Sequence, residues 1–393
     1  MSAVSSTAIP RALLASGPVA INATLIAVRQ AAQFLCDRAT LLVLLHAHTG
    51  ACRYAEFGER TGLASRLVSS RLAQLCEDGL LVRIPYSRRP LRHAYHLTHM
   101  GVALFDVLAL LSTWEQTWPL ASQRSPAVVL EHRACGTQPG QPRKVMARLH
   151  CSACAAAIDP RDISLRVSER EMAAMPDKST STRRTSQEPG GKGRIATTTP
   201  LPQSLAVLGD KWSIEVLVCA FFGVHQFGDF GARIGIATNI LADRLNRLVD
   251  AGLFRRTQDG DRYRKGLYLL TPKGLDFYGI LIAIQSWADD WIDHRVRSPV
   301  KLRHTLCQKV LQPRLACTVC AQVMTHAQAS LRIDLPRPVP SLAPGALASA
   351  DGTGADTSLF ASGEANFGRH GDAKRQSANI KGAVRERLRA KHR

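Results

Sequence analysis

Each half of the chain carries a His-x-x-Cys pair followed by a Cys-x-x-Cys pair. Three thiolates and one imidazole form a complete tetrahedral donor set for structural zinc. We therefore predict a small zinc-ribbon-like module in each half, with one structural zinc ion in each. The predicted ligands are His132, Cys135, Cys151 and Cys154 in the first half, and His304, Cys307, Cys317 and Cys320 in the second.

Two other interpretations of these residues stay open: a redox-active dithiol pair, or cysteines that bind no metal. Four protein ligands would leave no open position for a catalytic water. The chain also has no GxSxG, HExxH or phosphate-binding P-loop motif, so we do not expect an enzyme. The remaining cysteines are not repeated between the halves, and we expect them to be ordinary apolar fillers: Cys36, Cys52, Cys76 and Cys219.

The composition favours a folded protein that binds a polyanion. Of 393 residues, 51 are Lys or Arg and 31 are Asp or Glu, which gives a net charge of +20, and 45% are apolar. Such a charge attracts nucleic acid first and an anionic membrane surface second. No apolar run is long and uncharged enough for a transmembrane helix, so we expect a cytoplasmic, nucleoid-associated protein with no membrane partner.

An internal duplication organises the chain. A shift of 173 positions aligns residues 37–118 with the second half without a gap, so that Arg71 matches Arg244 and Trp114 matches Trp287. The duplicated units must position the Cys/His pairs that follow them. We predict helix-turn-helix domains over 20–122 and 199–295, Cys/His modules over 123–167 and 296–335, a disordered linker over 168–198 and a disordered basic tail over 336–393.

Each unit is predicted to be a winged helix-turn-helix. In the second unit, apolar residues at helical spacing follow Thr238 and end at Gly252, which tolerates a positive φ. Two β-type runs then flank an Asp259-Gly260 turn signal, which is typical of a hairpin. Thr271 and Pro272 suit the N-terminus of a last helix that runs to about Trp291. The predicted fold class is mainly α with small β-hairpins (α+β).

A helix with one polar, partly basic face suits the DNA major groove, and a basic hairpin suits backbone phosphates. The candidate DNA-binding residues of the two helices are Ser65, Arg66, Ser69, Ser70, Arg71, Thr238, Asn239, Arg244 and Arg247. Those of the two wings are Arg88, Arg89, Arg92, Arg262, Arg264 and Lys265.

The order of these pieces resembles the HxlR-type (MarR-like) winged helix-turn-helix transcriptional regulators. It runs from Asp210-Lys211-Trp212 through the helix-turn-helix and a basic hairpin to the Leu270-Thr271 step and a final helix with Trp287. The resemblance implies homodimers that bind palindromic operators. Some members sense oxidants through a cysteine before the first helix, but Ile26 and Thr199 stand there, so we do not expect that chemistry.

We therefore expect a transcriptional regulator that binds double-stranded DNA. The duplication predicts either an intramolecular pseudo-dimer or a homodimer, formed through the C-terminal helices of the winged domains. Two alternatives stay open: a zinc-binding or protein-interaction adaptor with weak non-specific nucleic-acid binding, and a non-specific coat on RNA or the chromosome.

Overall fold

The computed structural model describes residues 17–119, 126–136, 141–168, 199–257, 266–292 and 300–335. They belong to a unit that spans Met1–Leu335. The predicted linker, the predicted tail and the second wing's Arg262, Arg264 and Lys265 lie outside the described residues. Among the described helices, no single one is long and apolar enough to cross a membrane, and one bent pair, Val19–Leu35 with Arg38–His48, passes that test by length and composition.

The first copy is a helical unit with one hairpin, as the sequence predicts. Its helices are α1 (Gly17–Leu35), α2 (Arg38–His48), α3 (Tyr54–Thr61), α4 (Ser65–Glu77), α5 (His99–Val102) and α6 (Phe105–Thr117). The hairpin consists of β1 (Leu81–Arg88) and β2 (Leu91–Leu97), which pair antiparallel between α4 and α5.

The second copy repeats this order. Its helices are α7 (Pro202–Leu208), α8 (Lys211–Phe221), α9 (Phe227–Ile234), α10 (Thr238–Asp250), α11 (Pro272–Asp276) and α12 (Tyr278–Trp291). Its short strands, β7 (Phe254–Arg256) and β8 (Tyr268–Leu270), pair antiparallel. The predicted mixture of helices and small hairpins, repeated twice, is confirmed.

Equivalent residues in the two copies cap the N-termini of α2 and α8 and end α3 and α9. Asp37 and Asp210 cap α2 and α8, each accepting a hydrogen bond from a backbone N–H of the first turn. Gly62 and Gly235 end α3 and α9 at φ 64° and 74°, where a side chain would be strained. The left-handed glycine turns the chain sharply into the next helix, which gives the helix-turn-helix its shape.

The step from wing to last helix is tightly packed in both copies. Thr271 caps α11 by accepting from the Gly274 N–H, and the Thr271 N–H donates to the Leu253 carbonyl at 2.9 Å. A Cβ on Gly274 would lie 2.2 Å from that same carbonyl oxygen, and one on Gly101 would lie 2.2 Å from the Leu80 oxygen. Glycine at these positions therefore lets the short helix after the wing, α5 or α11, touch the backbone just before the first wing strand.

The strands that carry the Cys/His pairs follow the winged units. In the first copy they are β3 (Ala127–His132), β4 (Arg143–Val145), β5 (Ala147–Cys151) and β6 (Ile163–Val167). In the second copy they are β9 (Val300–His304), β10 (Pro313–Cys317) and β11 (Ala329–Asp334).

Most of these strands pair with the other copy rather than with their own. β3 pairs with β11, β6 pairs with β9, and β5 pairs with β10, all antiparallel. The β5–β10 register places Leu149 opposite Leu315, with each Cys-x-x-Cys turn at the opposite end of the pair. The structure thus corrects the prediction that each copy closes its own module, because the strands of the two copies are intertwined.

Helices also cross between the copies. α1 packs against α8 and α12, and the C-terminal helices α6 and α12 pack against each other, as the sequence predicts. The Trp114 indole N–H donates to the Lys273 carbonyl at 3.1 Å, and the Trp287 indole N–H donates to the Met100 carbonyl at 3.1 Å. The two bonds join equivalent residues in opposite directions, which is the pattern of a two-fold related dimer interface.

We predict that Gly274→Ala destabilises the full chain by about 1–3 kcal/mol, because the added methyl group meets the Leu253 carbonyl oxygen. The matched control is Gly228→Ala, in α9, where a Cβ meets no atom within 4 Å. The control should leave the free energy of unfolding unchanged or raise it by up to about 1 kcal/mol, since alanine favours a helix. Urea unfolding measures both, and equal midpoints would contradict the prediction.

Candidate nucleic-acid interface and metal centres

Helix α4 presents a polar face to solvent in the first copy. Val68, Leu72 and Leu75 are buried and fix the helix against its own domain. The opposite face is exposed, and it carries the predicted DNA contacts Ser65, Arg66, Ser69 and Ser70. Hydroxyl and guanidinium groups on such a face can donate to base edges in a major groove.

Helix α10 is built the same way in the second copy. Leu241, Leu245 and Leu248 are buried, and Thr238, Asn239 and Arg247 are exposed. The Arg247 Nε lies 2.9 Å from the Asp243 carboxylate one turn earlier, in a pair whose two side chains are both exposed. An exposed pair of this kind is worth little and can be exchanged for a phosphate or a base.

Arg71 and Arg244, which the sequence places among the DNA contacts, have another role in the structure. Arg244 Nε lies 2.6 Å from the carboxylate of Asp210, with only 11% of the arginine side chain exposed, and it also pairs with Asp243. Arg71 makes the equivalent 2.7 Å pair with Asp37. Both guanidinium groups therefore bind the aspartate that caps a core helix, Asp37 for α2 and Asp210 for α8. We leave both arginines out of the proposed DNA contacts.

The ion pair acts on the pKa of Asp37. Burial works to raise the pKa of this carboxyl, but hydrogen bonds from Arg71 and Thr40 outweigh burial and hold the pKa below its ordinary value. The carboxylate therefore stays ionised near neutral pH and can accept from the first turn of α2.

The first wing offers a basic tip. Arg88, Arg89 and Arg92 are exposed where β1 turns into β2. Close to this tip, the Arg53 guanidinium stacks over the Tyr86 ring at 5.2 Å. In the second wing the structure describes the base only, where Arg255 and Arg256 are exposed.

Sequence reasoning missed Tyr54 beside the first recognition helix. Its hydroxyl donates to the Ser65 carbonyl at 2.9 Å and lies 3.3 Å from the Ser69 hydroxyl. The ring thus ties α3 to the first turn of α4. The repeat gave no signal for this contact, because the equivalent residue of the second copy is Phe227.

The eight predicted metal ligands gather into two clusters, but in a different grouping. Each cluster combines the His-x-x-Cys pair of one copy with the Cys-x-x-Cys pair of the other, and its ligand atoms all lie within 4.8 Å of one another. The first cluster is His132, Cys135, Cys317 and Cys320; the second is Cys151, Cys154, His304 and Cys307. Both could hold a metal ion.

The spacing of the donor atoms suits a tetrahedral ion. Zn–S bonds of about 2.3 Å and Zn–N bonds of about 2.0 Å require N···S separations of about 3.5 Å and S···S separations of about 3.8 Å. In the first cluster, His132 Nδ1 lies 3.3 and 3.6 Å from two sulfurs, and Cys135 Sγ lies 3.6 Å from Cys317 Sγ.

The second cluster has the same spacing. His304 Nδ1 lies 3.2 Å from Cys154 Sγ and 3.5 Å from Cys307 Sγ, while Cys151 and Cys307 place their sulfurs 3.9 Å apart. The donor sets of both clusters therefore fit one small thiophilic ion each.

Backbone and burial support the same arrangement. Both histidines are 0% exposed, and their Nδ1 atoms face the sulfurs. Ala155, Gln308 and Ala321 each adopt φ 58°, a left-handed conformation, directly after the last residue of a ligand pair: Cys154, Cys307 and Cys320. Side chains rarely adopt this conformation, and here it follows ligand pairs whose donor atoms all face the same cluster.

The four other cysteines lie outside these clusters: Cys219 belongs to the core, Cys36 and Cys76 pack against it, and Cys52 is half-buried. Burial raises the pKa of Cys219 to about 12 and raises that of Cys36 as well. Thiols that stay protonated are weak nucleophiles and poor metal ligands, which agrees with their interpretation as apolar fillers.

The comparison with known proteins now decides the family. The sequence matches the HxlR-like helix-turn-helix family over residues 34–123 and 207–296. An uncharacterized HTH-type transcriptional regulator of Mycobacterium tuberculosis, Rv3095, is 34% identical over 123 residues, which are 31% of this chain and 78% of that protein. The chain belongs to the HxlR-like helix-turn-helix family. Its two matches confirm the predicted resemblance and the tandem duplication.

Other similarities point the same way or carry no argument. The uncharacterized HTH-type transcriptional regulator MJ0925 of Methanocaldococcus jannaschii is 32% identical over 95 residues, 23% of this chain and 83% of that protein. A solved structure of a transcription-factor candidate from Pseudomonas aeruginosa, PA1374, is 27% identical and covers 36% of this chain and 93% of its own, with a TM-score of 0.28. So low a TM-score carries no conclusion about the arrangement of the copies.

We predict that Arg244→Ala lowers the free energy of unfolding by about 1–3 kcal/mol, because it leaves the carboxylate of Asp210 without its partner. Adding Asp210→Ala should cost less than the sum of the two single changes, since the residues act as a pair. Arg247→Ala is the control on the same helix and should change the free energy by at most about 0.5 kcal/mol. Additive effects in a double-mutant cycle would show that the pair does not support the fold.

Proposed function

We propose that the protein is a DNA-binding transcriptional regulator in which one chain supplies both halves of a dimer-like DNA-binding unit. The observation that carries this proposal is the repeated helix-turn-helix, with an exposed polar face on α4 and on α10. Its relatives include proteins named as HTH-type transcriptional regulators.

The pseudo-dimer is supported by the contacts between the copies. The two equivalent tryptophan bonds, from Trp114 and Trp287, join the copies in opposite directions. The Mycobacterium tuberculosis relative is less than half as long as this chain, because 123 residues are 78% of that protein but 31% of this one. A protein of that length has room for one such copy, whereas this chain holds two and raises the effective concentration of each beside the other.

In this proposal the recognition helices read base edges and the wings hold phosphates. The exposed side chains differ between α4, with Ser65, Arg66 and Ser69, and α10, with Thr238 and Asn239. The two copies therefore prefer different half-sites. The first wing adds phosphate contacts from Arg88, Arg89 and Arg92. For the second wing we propose Arg262, Arg264 and Lys265 on sequence grounds alone, since they lie outside the described residues.

The chemistry expected of the chain is binding rather than catalysis. The relatives it matches are named as transcriptional regulators, and a four-ligand metal site offers no open coordination position. A regulator that binds chromosomal DNA acts at the nucleoid, and we place this protein there.

Selection from random double-stranded DNA by the full chain should return two non-identical half-sites at a fixed spacing. Arg66→Ala should relax the base preference in one half-site only, and Asn239→Ala in the other, each by about 1–3 kcal/mol at the affected base pair. Sequencing of the selected pools measures this.

A charge-matched control distinguishes base recognition from non-specific electrostatic attraction to DNA. Arg143→Ala removes the same charge as Arg66→Ala from an exposed strand residue outside the helix-turn-helix units. The control should leave both half-site preferences intact. A perfectly palindromic selected site, or equal loss of preference in both half-sites with either helix variant, would contradict the proposal.

We further propose that the two Cys/His clusters bind structural zinc. Three sulfurs and one imidazole nitrogen suit zinc, whereas calcium and magnesium prefer oxygen ligands. With zinc bound, the ion would fix the turns that carry Cys135, Cys154, Cys307 and Cys320.

We predict about two zinc ions per chain in protein purified without chelator, measured by elemental analysis. Stripping the metal should lower the melting temperature, because an ion that binds only the folded state stabilises it by mass action. Cys36→Ser is the control, since that thiol is outside both clusters, and it should leave the zinc content unchanged. A metal-free preparation that takes up no zinc on addition would contradict this proposal.

A further inference from the structure

We propose that each Cys/His cluster is a metal clasp. In each clasp, residues of both repeated copies within one chain bind the same thiophilic ion, which joins the two copies. This inference rests on the proposed metal binding and concerns which residues share an ion. A clasp of this kind makes metal binding and the pairing of the two DNA-binding units a single linked event.

The strands deliver the ligands of each cluster from opposite copies. His132 ends β3 and lies opposite Ala329 of β11 in the register, while His304 ends β9 and lies opposite Ile163 of β6. Each histidine is thus anchored by a strand of the other copy. That neighbouring strand continues from the Cys-x-x-Cys turn that completes the cluster.

The antiparallel pairing of β5 with β10 directs each Cys-x-x-Cys turn towards the other copy. It places Cys151 opposite Pro313 and Cys317 opposite Ala147, so the two Cys-x-x-Cys turns leave from opposite ends of the pair. Each turn then meets the His-x-x-Cys pair of the other copy, with Cys135 Sγ 3.6 Å from Cys317 Sγ and Cys151 Sγ 3.9 Å from Cys307 Sγ. A set of ligands drawn from one copy would require this strand pair to separate.

Because each cluster takes ligands from both copies, metal binding depends on the pairing of the two copies. No cluster is complete until both copies are docked, so the binding free energy of each ion adds to the stability of the pair. The first ion also fixes the β5–β10 register, which positions two ligands of the second cluster. We therefore expect the second ion to bind more tightly than the first.

Two double variants of the full chain distinguish crossed ligand sets from ligand sets within one copy. Cys135→Ser with Cys317→Ser damages one crossed cluster and leaves the other intact, so it should hold about one zinc ion per chain. Cys135→Ser with Cys151→Ser damages both crossed clusters and should hold about none. Each variant loses two thiols, so general effects of removing cysteine are matched.

If each ligand set came from one copy, the result would be reversed. The variant with Cys135→Ser and Cys317→Ser would then hold about no zinc, and the variant with Cys135→Ser and Cys151→Ser would hold about one zinc ion per chain. That reversal, or equal zinc in the two variants, overturns the clasp. Zinc-free wild-type protein would instead defeat the proposed metal binding itself, so the two failures are distinguishable.

Disulfide mapping on metal-stripped wild-type chain tests the crossing without any variant. Diamide accepts two electrons and two protons as each pair of thiols forms a disulfide, and digestion followed by mass spectrometry identifies the joined peptides. The clasp predicts Cys135 joined to Cys317 or Cys320, and Cys307 joined to Cys151 or Cys154. Peptides that join Cys135 to Cys151 or Cys154 as the main product would overturn it.

Discussion

The structure depends on backbone hydrogen bonds that neither copy can make alone. Beyond each winged unit the chain runs into short strands, and β3, β5 and β6 of the first copy find their antiparallel partners in β11, β10 and β9 of the second. Since buried N–H and C=O groups must be paired, these strands hold the copies together. The crossed helix contacts and the crossed Cys/His clusters follow from the same pairing.

The two copies are related but not identical where they meet. The tryptophan bonds and the Asp37–Arg71 and Asp210–Arg244 pairs repeat from one copy to the other. The Arg29–Glu215 pair between α1 and α8, at 2.8 Å, has no equivalent, because Leu42 and Pro202 occupy the matching positions. A fused gene permits such one-sided contacts, which a symmetric homodimer would have to make twice. The same freedom allows the two recognition faces to differ.

Much of this could be predicted from the sequence because it is local. The helix-turn-helix elements follow from apolar spacing, from the caps at Asp37 and Asp210 and from the left-handed glycines. The eight candidate metal ligands could be predicted from their spacing in the chain. The partners of those ligands could not be predicted, because a Cys-x-x-Cys turn specifies how it holds an ion and not which second turn completes the set. Arg244 was misplaced for a similar reason, since a basic residue on a polar helix face can face outward or reach back to a cap.

We propose that one chain supplies both halves of the DNA-binding unit. The most direct measurement is native mass spectrometry of the full-length protein with a duplex that carries its complete selected site. We expect one chain per duplex as the main complex at concentrations that saturate the DNA. Two chains per duplex, formed cooperatively with no one-chain intermediate, would contradict it.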